Sequence, residues 1–213
     1  PAVFLLTLFL LISANRLGPI PSFEELENPD NSLAAEVYSE DNVLLGKFYI
    51  QNRTWTDYED ISPYVIDALI ATEDIRFHRH SGIDFRGLAR VLVKTIMLGQ
   101  NTGGGSTITQ QLAKNLFLPR DLSNDPAIVR ASKLAVSKFK EWQTAVKLER
   151  SYTKEEIITM YLNVFDFIYN AVGINSAARI YFNTTPDSLN IEQSAMLVGM
   201  LKNSVAYNPL RNE

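Results

Sequence analysis

Residues 103–115, with the sequence Gly-Gly-Gly-Ser-Thr-Ile-Thr-Gln-Gln-Leu-Ala-Lys-Asn, join a glycine loop to the start of a helix. Ser106 is a favourable N-cap residue, and a helix that begins there offers free N–H groups and a positive dipole end to an anion. Ile108 and Leu112 share one face of the predicted helix. The opposite face carries the polar residues Gln110, Gln111, Lys114 and Asn115. The stretch therefore predicts that an anion binds at the start of this helix. It is not a Walker A loop. The alternative interpretation is a flexible linker before a capped helix.

An acidic pair, Glu73 and Asp74, lies upstream at the end of a predicted helix. The loop that follows contains Phe77, His80 and Gly82. A carboxylate that is partly shielded from water binds its proton more tightly and can act as a general base near neutral pH. The cluster therefore predicts a base, although a solvated acidic helix end, with His80 bonded to a backbone carbonyl, would give the same pattern.

A long predicted helix downstream carries several charged residues. Lys133, Ser137, Lys140 and Glu141 follow one another at i, i+4, i+7 and i+8, with Lys138 between them. A cationic stripe of this kind could neutralise a diphosphate leaving group. Such a run is also typical of a solvated helix face, and the spacing alone does not decide between the two.

The apolar pattern is helical from Pro63 onward, so the domain is predicted to be mainly α. Thr153 and Glu156 form a T-x-x-E capping box, whereas the polar residues of 154–163 indicate no chemistry by themselves. A β-hairpin is predicted over residues 35–50. Further helices are predicted at 84–98, 106–117, 126–149, 153–163, 174–182 and 190–203.

Composition limits the class of protein. The 213 residues, 46% of them apolar, fit one large domain or one domain with appendages. The charged fraction of 21% excludes a disordered chain, and the net charge of −4 argues against a nucleic-acid binder. Because the chain has no cysteine, it has neither disulfides nor thiolate metal sites, but this does not identify a compartment.

The first fourteen residues, PAVFLLTLFLLISA, are almost wholly apolar. A bilayer-spanning helix needs about 20 such residues. Because the chain begins at Pro1 without an initiator Met, residues 1–14 are predicted to be part of a longer transmembrane anchor, with a signal peptide or a core helix as the alternatives. Residues 15–34 are rich in Pro, Asn and acidic side chains and are predicted to be a linker.

In this order the clusters resemble the family 51 glycosyltransferases, the domain that polymerises lipid II in class A penicillin-binding proteins and monofunctional transglycosylases. The resemblance covers roughly residues 35–210, and Tyr207-Asn208-Pro209 resembles the segment that leaves this domain. The matching motifs are E-D-x-x-F-x-x-H-x-G at 73–82, G-G-S-T-I-T-Q-Q-L-A-K-N at 104–115, K-x-K-E at 138–141, K-E-E-I-x-x-x-Y-L-N at 154–163 and G-I-x-S-A-A-R-x-Y-F at 173–182.

The resemblance implies a fold and a location. The expected fold is mainly α: a lysozyme-like helical lobe with a small membrane-proximal jaw at about residues 84–102. The expected location is the bacterial inner membrane, single-pass, with the catalytic domain on the extracytoplasmic side. Residues 35–210 would be the glycosyltransferase domain, and residues 211–213 would begin a linker to a transpeptidase domain.

The resemblance also implies an inverting transfer between two lipid-linked sugars, with the growing glycan chain on undecaprenyl diphosphate as donor and lipid II as acceptor. Glu73 would be the base, and Glu141 would position the donor or support a cation. No cofactor is expected, except that a divalent cation, Mg or Mn, could accompany the diphosphate. Lipid II, the glycan chain, the membrane and cell-wall synthesis proteins are the expected partners, and nucleic acid is not. The substrate and diphosphate would be bound by Asp74, Phe77, His80, Gly104, Ser106, Thr107, Gln110, Gln111, Lys114, Asn115, Lys133, Lys138 and Lys140.

Several positions depart from the family pattern. Ser137 stands where an Arg is usual, which shifts part of the expected phosphate binding to Lys133. Ile168 stands at a usual Gly, and Asn183-Thr184 replaces a common Gly-Lys pair. These departures leave the expected acid–base residues in place.

Three other functions compete with this hypothesis. A lysozyme-like hydrolase could use Glu73 and Glu141 as its acid and base, but a sugar leaving group needs no lysines. An inactive membrane-anchored scaffold would not need either carboxylate. A transpeptidase is suggested by S-x-x-K at 151–154 and S-x-N at 188–190, but the chain has no K-T-G motif.

Overall fold

The computed structural model describes residues 21–22, 35–38, 44–48, 55–98, 104–117 and 126–211. Within these ranges the chain is mainly helical, which confirms the predicted class. The helices are α1 (Pro63–Glu73), α2 (Phe85–Leu98), α3 (Ile108–Phe117), α4 (Ala127–Ser151), α5 (Lys154–Val164), α6 (Gly173–Phe182) and α7 (Ile191–Lys202). Short 3-10 helices lie at Tyr58–Asp60, Phe77–Arg79 and Pro186–Ser188. The helices begin and end within about two residues of the predicted bounds, because apolar periodicity and caps set them locally.

Two short strands precede the helices. β1 (Ala35–Tyr38) pairs antiparallel with β2 (Leu44–Phe48), so that Ala35 lies opposite Phe48. The residues that connect the two strands, 39–43, lie outside the described residues.

The predicted anchor, residues 1–14, lies outside the described residues, and so does most of the predicted linker. Pro21 is buried, and its carbonyl accepts a hydrogen bond from Lys147 Nζ at 2.8 Å. In the part of the chain that is described, none of the helices combines the length and the apolar character needed to cross a bilayer. The anchor therefore stays a prediction.

The chain divides into two compact units. The first unit consists of Pro1–Pro29 and Arg76–Ile157, and the second unit consists of Asp30–Ile75 and Ile158–Glu213. One boundary falls inside the 73–82 motif, because the acidic pair belongs to the second unit and the loop after it belongs to the first.

In the first unit, α3 packs on α4. The capping box at the start of α5 is confirmed: the Thr153 N–H donates to Glu156 Oε2 at 2.7 Å, and the Glu156 N–H donates to Thr153 Oγ1 at 3.2 Å. These bonds satisfy backbone donors that the first turn of a helix leaves without an intrahelical partner. The fully buried core residues described in this unit are Phe77, Ile108, Leu112, Ala113, Ala145, Leu148 and Ile157.

In the second unit, α1 packs on α7. The buried Ser62, which precedes α1, donates its hydroxyl to the Leu189 carbonyl at 2.7 Å. Asn163 accepts the Thr56 N–H at 2.9 Å and donates Nδ2 to the Thr56 carbonyl at 2.8 Å. These bonds join segments more than a hundred positions apart in the sequence. The most buried large residues of this unit are Leu69, Tyr161, Phe167, Ile158 and Leu162.

Three consecutive residues after α5 adopt the left-handed backbone conformation: Ile168, Tyr169 and Asn170, with φ angles of 60°, 52° and 62°. This conformation costs an L-residue roughly 1–2 kcal/mol, and a β-branched residue is the least suited to it. Glycine, which the family resemblance implies at position 168, would adopt this conformation without that cost. Asn183, at the end of α6, has φ 50° and is a residue type that tolerates this conformation.

We expect Ile168→Gly to stabilise the protein. Removing the strained β-branched residue should outweigh the loss of a half-buried side chain and raise the free energy of unfolding by about 0.5–1 kcal/mol. That gain corresponds to a melting temperature about 1–4 °C higher for a chain of this size. Asn170→Gly is the matched control, and its effect should be smaller because Asn adopts left-handed angles at little cost. A larger stabilisation from Asn170→Gly than from Ile168→Gly, measured by thermal unfolding, would contradict the strain argument.

Candidate active site

The backbone carbonyl of Gly82 is the point at which the loop after the acidic pair meets α3. It accepts hydrogen bonds from Thr107 Oγ1 at 2.7 Å and from Gln110 Nε2 at 3.0 Å. Thr107 also caps α3, because its Oγ1 accepts the Gln110 N–H at 3.2 Å. The sequence predicts Gln110 on a polar helix face. In the structure its side chain is buried and donates a hydrogen bond to the loop. Thr107 and Gln110 therefore position the loop in this structure.

Position 82 admits only glycine. Gly82 has φ +88°, and an added Cβ would lie 2.8 Å from the carbonyl carbon and oxygen of Ala145 on α4. Both atoms belong to the backbone and cannot rotate away. The close approach of α4 therefore leaves no room for a side chain at this end of the loop.

We expect Gly82→Ala to lower the free energy of unfolding by about 3 kcal/mol or more, because left-handed strain adds to a backbone overlap. Gly104→Ala is the matched control: Gly104 has φ +98°, but its added Cβ meets nothing within 4 Å. It should lose only the conformational part, about 1–2 kcal/mol. Denaturant unfolding of both variants measures the difference, and equal losses would show that Ala145 moves aside.

A second cluster lies at the start of α3. Lys138 Nζ donates to Ser106 Oγ and to Glu141 Oε2, both at 2.8 Å. Glu141 is only 1% exposed, and its other oxygen accepts the Ser137 hydroxyl at 3.4 Å. A buried carboxylate needs such a partner, since an unpaired buried charge is costly. Glu141 therefore holds a lysine against the glycine-loop end of a helix, where backbone N–H groups favour an anion.

The Lys138 side chain is 41% exposed, so the residue is accessible to a ligand as well as anchored. An ammonium has three N–H donors, and the two contacts above use two of them. The remaining donor, together with the start of α3, can bind a phosphate oxygen. Among the residues that the structure describes, no cluster of three or more His, Cys, Asp and Glu could hold a metal ion. A cation at the diphosphate remains a prediction.

A third cluster stabilises the start of α2. Asp84 Oδ1 accepts the Gly87 N–H at 3.0 Å, and Asp84 Oδ2 accepts Arg76 Nε at 3.1 Å. Burial raises the pKa of the Asp84 carboxyl, but the Arg76 hydrogen bond, the Gly87 N–H and the nearby positive charges of Arg76 and His80 outweigh it, so this pKa lies below its ordinary value. Asp84 is therefore ionised at neutral pH and caps the helix that begins the predicted jaw.

Glu73 and Asp74 belong to the second unit. Glu73 is half-buried as the last residue of α1, and Asp74 is 7% exposed and donates its N–H to the Ile70 carbonyl. Burial of Tyr161 on α5, and then the negative charge of Glu73, raise the pKa of its phenol. A protonated phenol thus lies within electrostatic range of the predicted base.

The predicted site residues are distributed over both units. Lys114, Asn115 and Lys133 are exposed, while Gln111 and Lys140 are half-buried. The second unit holds Glu73 and Asp74. The first unit holds Phe77, His80, Gly104, Ser106, Thr107, Gln110, Gln111, Lys114, Asn115, Lys133, Lys138, Lys140 and Glu141.

The sequence did not indicate a role for Lys154. Its Nζ donates to the His80 carbonyl at 2.8 Å and lies 4.2 Å from the centroid of the Phe77 ring. Lys154 was part of the 154–163 cluster, in which it looked like an ordinary residue of a first helical turn. Only the packing of the loop against α5 reveals its contacts.

Comparisons with known proteins identify the family. Residues 41–213 match the model of the transglycosylase family, and the chain belongs to that family. It is 36% identical over 210 residues to penicillin-binding protein 1A of Neisseria flavescens, 37% over 211 residues to that of Neisseria lactamica, and 34% over 191 residues to that of Escherichia coli (strain K12). These alignments cover 99%, 99% and 90% of this chain but 25%, 25% and 21% of the relatives. The chain thus spans about a quarter of the length of these proteins, and the family inferred from the motifs is confirmed.

Proposed function

We propose that this chain is a peptidoglycan glycosyltransferase that polymerises lipid II into β-1,4-linked glycan strands with inversion at the anomeric carbon. The observation that carries the proposal is the cluster of Ser106, Lys138 and Glu141 at the start of α3. A lysine fixed at a helix N-terminus suits a leaving group that gains negative charge as it departs. Membership of the transglycosylase family supports the same reaction.

The reaction begins with the acceptor. The 4-hydroxyl of lipid II is a weak nucleophile, and Glu73 takes its proton as the oxygen attacks the anomeric carbon of the donor. A new bond forms between this oxygen and the carbon, and the bond from the carbon to the diphosphate oxygen breaks. The electron pair leaves with undecaprenyl diphosphate, and the proton remains on Glu73.

Residues of the first unit bind and stabilise the leaving diphosphate. Lys138, with Lys114 and Lys140, stabilises the charge that grows on the diphosphate, and the N–H groups at the start of α3 add to it. Glu141 keeps Lys138 in place and helps to position the donor. No step of this proposal depends on a divalent cation.

We further propose the domain arrangement that the motifs imply. Residues 1–14 belong to an anchor in the bacterial inner membrane, residues 35–210 form a lysozyme-like glycosyltransferase domain, and α2 lies in a jaw at about 84–102. The catalytic domain is then extracytoplasmic, where lipid II and the growing strand are its substrates.

Incubation of the chain with dye-labelled lipid II tests the activity. We expect a ladder of polymers, with one undecaprenyl diphosphate released for each new glycosidic bond. A parallel incubation with preformed labelled strands tests the hydrolase alternative. Shortened strands without a ladder would replace the proposal with a hydrolase, and no change in either substrate would favour an inactive scaffold.

A further inference from the structure

Lys154, the first residue of α5, contacts three groups of the first unit at once. Its Nζ donates to the His80 carbonyl at 2.8 Å, pairs with both carboxylate oxygens of Glu149 at 2.8 and 2.7 Å, and lies over the Phe77 ring. Hydrogen bonds to the His80 carbonyl and to Glu149 Oε1 take two of the three N–H donors of the ammonium, and Glu149 Oε2 lies within ion-pair distance. The known contacts of Lys154 are thus all with groups of the first unit.

Glu149 connects Lys154 to α3 through an ion pair and a hydrogen bond. Its side chain is 5% exposed, and Oε1 also accepts the hydroxyl of Thr109 on α3 at 2.6 Å. Removing one member of such a shielded ion pair leaves the other charge without compensation, so the pair resists rearrangement. The ammonium over the Phe77 ring adds an attraction that grows as water is excluded.

The loop at residues 77–82 is consequently held at two points. Lys154 binds the carbonyl of His80, and α3 binds the carbonyl of Gly82. The loop contains His80, which the family resemblance places among the substrate-binding residues, and Phe77, whose fully buried ring lies under the Lys154 ammonium. Since the bonds at both points reach backbone carbonyls, they fix the path of the chain through the loop.

We infer that Lys154 is a positioning residue of the glycosyltransferase reaction: with Glu149, it fixes the 77–82 loop so that His80 meets the substrate in a productive geometry. This inference rests on the proposed function for its catalytic consequence. Its structural content, the restraint of the loop by Lys154, stands on the contacts alone.

Two measurements on the full chain test the inference. The first is a proton–nitrogen NMR spectrum of the histidine side chains, because the chain has only two histidines, His78 and His80, and both lie in or beside this loop. His78→Gln assigns the signals. Lys154→Met, which keeps the apolar stem, should shift and broaden the His80 signal, whereas Lys202→Met, the same change at an exposed lysine, should leave it in place.

The second measurement is steady-state polymerisation. Misplacement by about 1 Å can cost on the order of a hundredfold in rate, so Lys154→Met should lower kcat about ten- to hundredfold, with KM changed by less than about threefold. Lys154→Arg, which keeps the positive charge, should recover part of the rate. If Lys154→Met does not fold, Glu149→Gln takes its place, because it removes the ion pair while its amide oxygen still accepts the Thr109 hydroxyl.

The outcomes separate the inference from the proposed function. An unchanged His80 signal in Lys154→Met overturns the inference, whatever the activity. A shifted signal with unchanged kcat reduces Lys154 to a purely structural residue and also overturns it. If the wild-type chain does not polymerise lipid II, the proposed function fails, and with it the catalytic consequence of Lys154. The NMR spectrum then still decides whether Lys154 restrains the loop.

Discussion

Glu73→Gln is expected to abolish most polymerisation, with a rate about 10²–10⁴-fold below that of the wild type. Glutamine keeps the size and shape of the side chain but cannot accept the proton of the acceptor hydroxyl. The substrate should bind almost as well, because the loss is confined to the transition state. The expected signature is therefore a fall in kcat with KM changed by less than about threefold. Polymerisation of labelled lipid II, followed on a gel that resolves strand length, measures kcat and KM.

Asp67→Asn is the matched control for this variant. Asp67 lies on the same helix, α1, is exposed, and undergoes the same change from carboxylate to amide. It should retain the wild-type rate, and thermal unfolding of both variants should give similar melting temperatures. Wild-type polymerisation by Glu73→Gln would refute the assignment of the base while leaving the family assignment intact.

The second large effect is expected at Lys138. Lys138→Met removes the ammonium that we propose stabilises the departing diphosphate, and it should lower kcat about 10²–10³-fold. The same change leaves the buried Glu141 without its ion-pair partner and should lower the free energy of unfolding by about 1–3 kcal/mol. The rate loss alone therefore does not distinguish catalysis from stability.

A double variant separates the two effects. In Lys138→Met with Glu141→Gln, the unpaired buried charge is gone, so the free energy of unfolding should return towards the wild-type value. The polymerisation rate should stay as low as in Lys138→Met, since the ammonium is still absent. A recovered rate in the double variant would mean that Lys138 acts only by satisfying Glu141.

The helices could be predicted because their signals are local. The i, i+3, i+4 spacing after Pro63 and the Thr153 capping box depend on residues within one or two turns. The helix start near Ser106 belongs to the same class of signal, although the cap is Thr107, one residue later than predicted. Such features need no knowledge of what packs against them.

The site was only partly predictable, because its contacts join distant segments. The sequence placed Gln110 on a polar face, but the packing of α3 on α4 buries it against the loop. The bond from Lys154 to His80 joins residues 74 positions apart. No periodicity encodes that bond, since it depends on how the first turn of α5 meets the loop. The restriction at Gly82 is similar, because it arises from the backbone of Ala145.

The left-handed backbone conformation of residues 168–170 also limits which further substitutions this protein can tolerate. Folded proteins are stable by only about 5–15 kcal/mol, and most substitutions reduce that margin. The left-handed conformation of Ile168 already lowers the free energy of unfolding by roughly 1–2 kcal/mol. A substitution that a relative with glycine at this position tolerates would therefore bring this chain closer to its unfolding threshold. Mutational tolerance measured in such relatives will overestimate the tolerance of this protein.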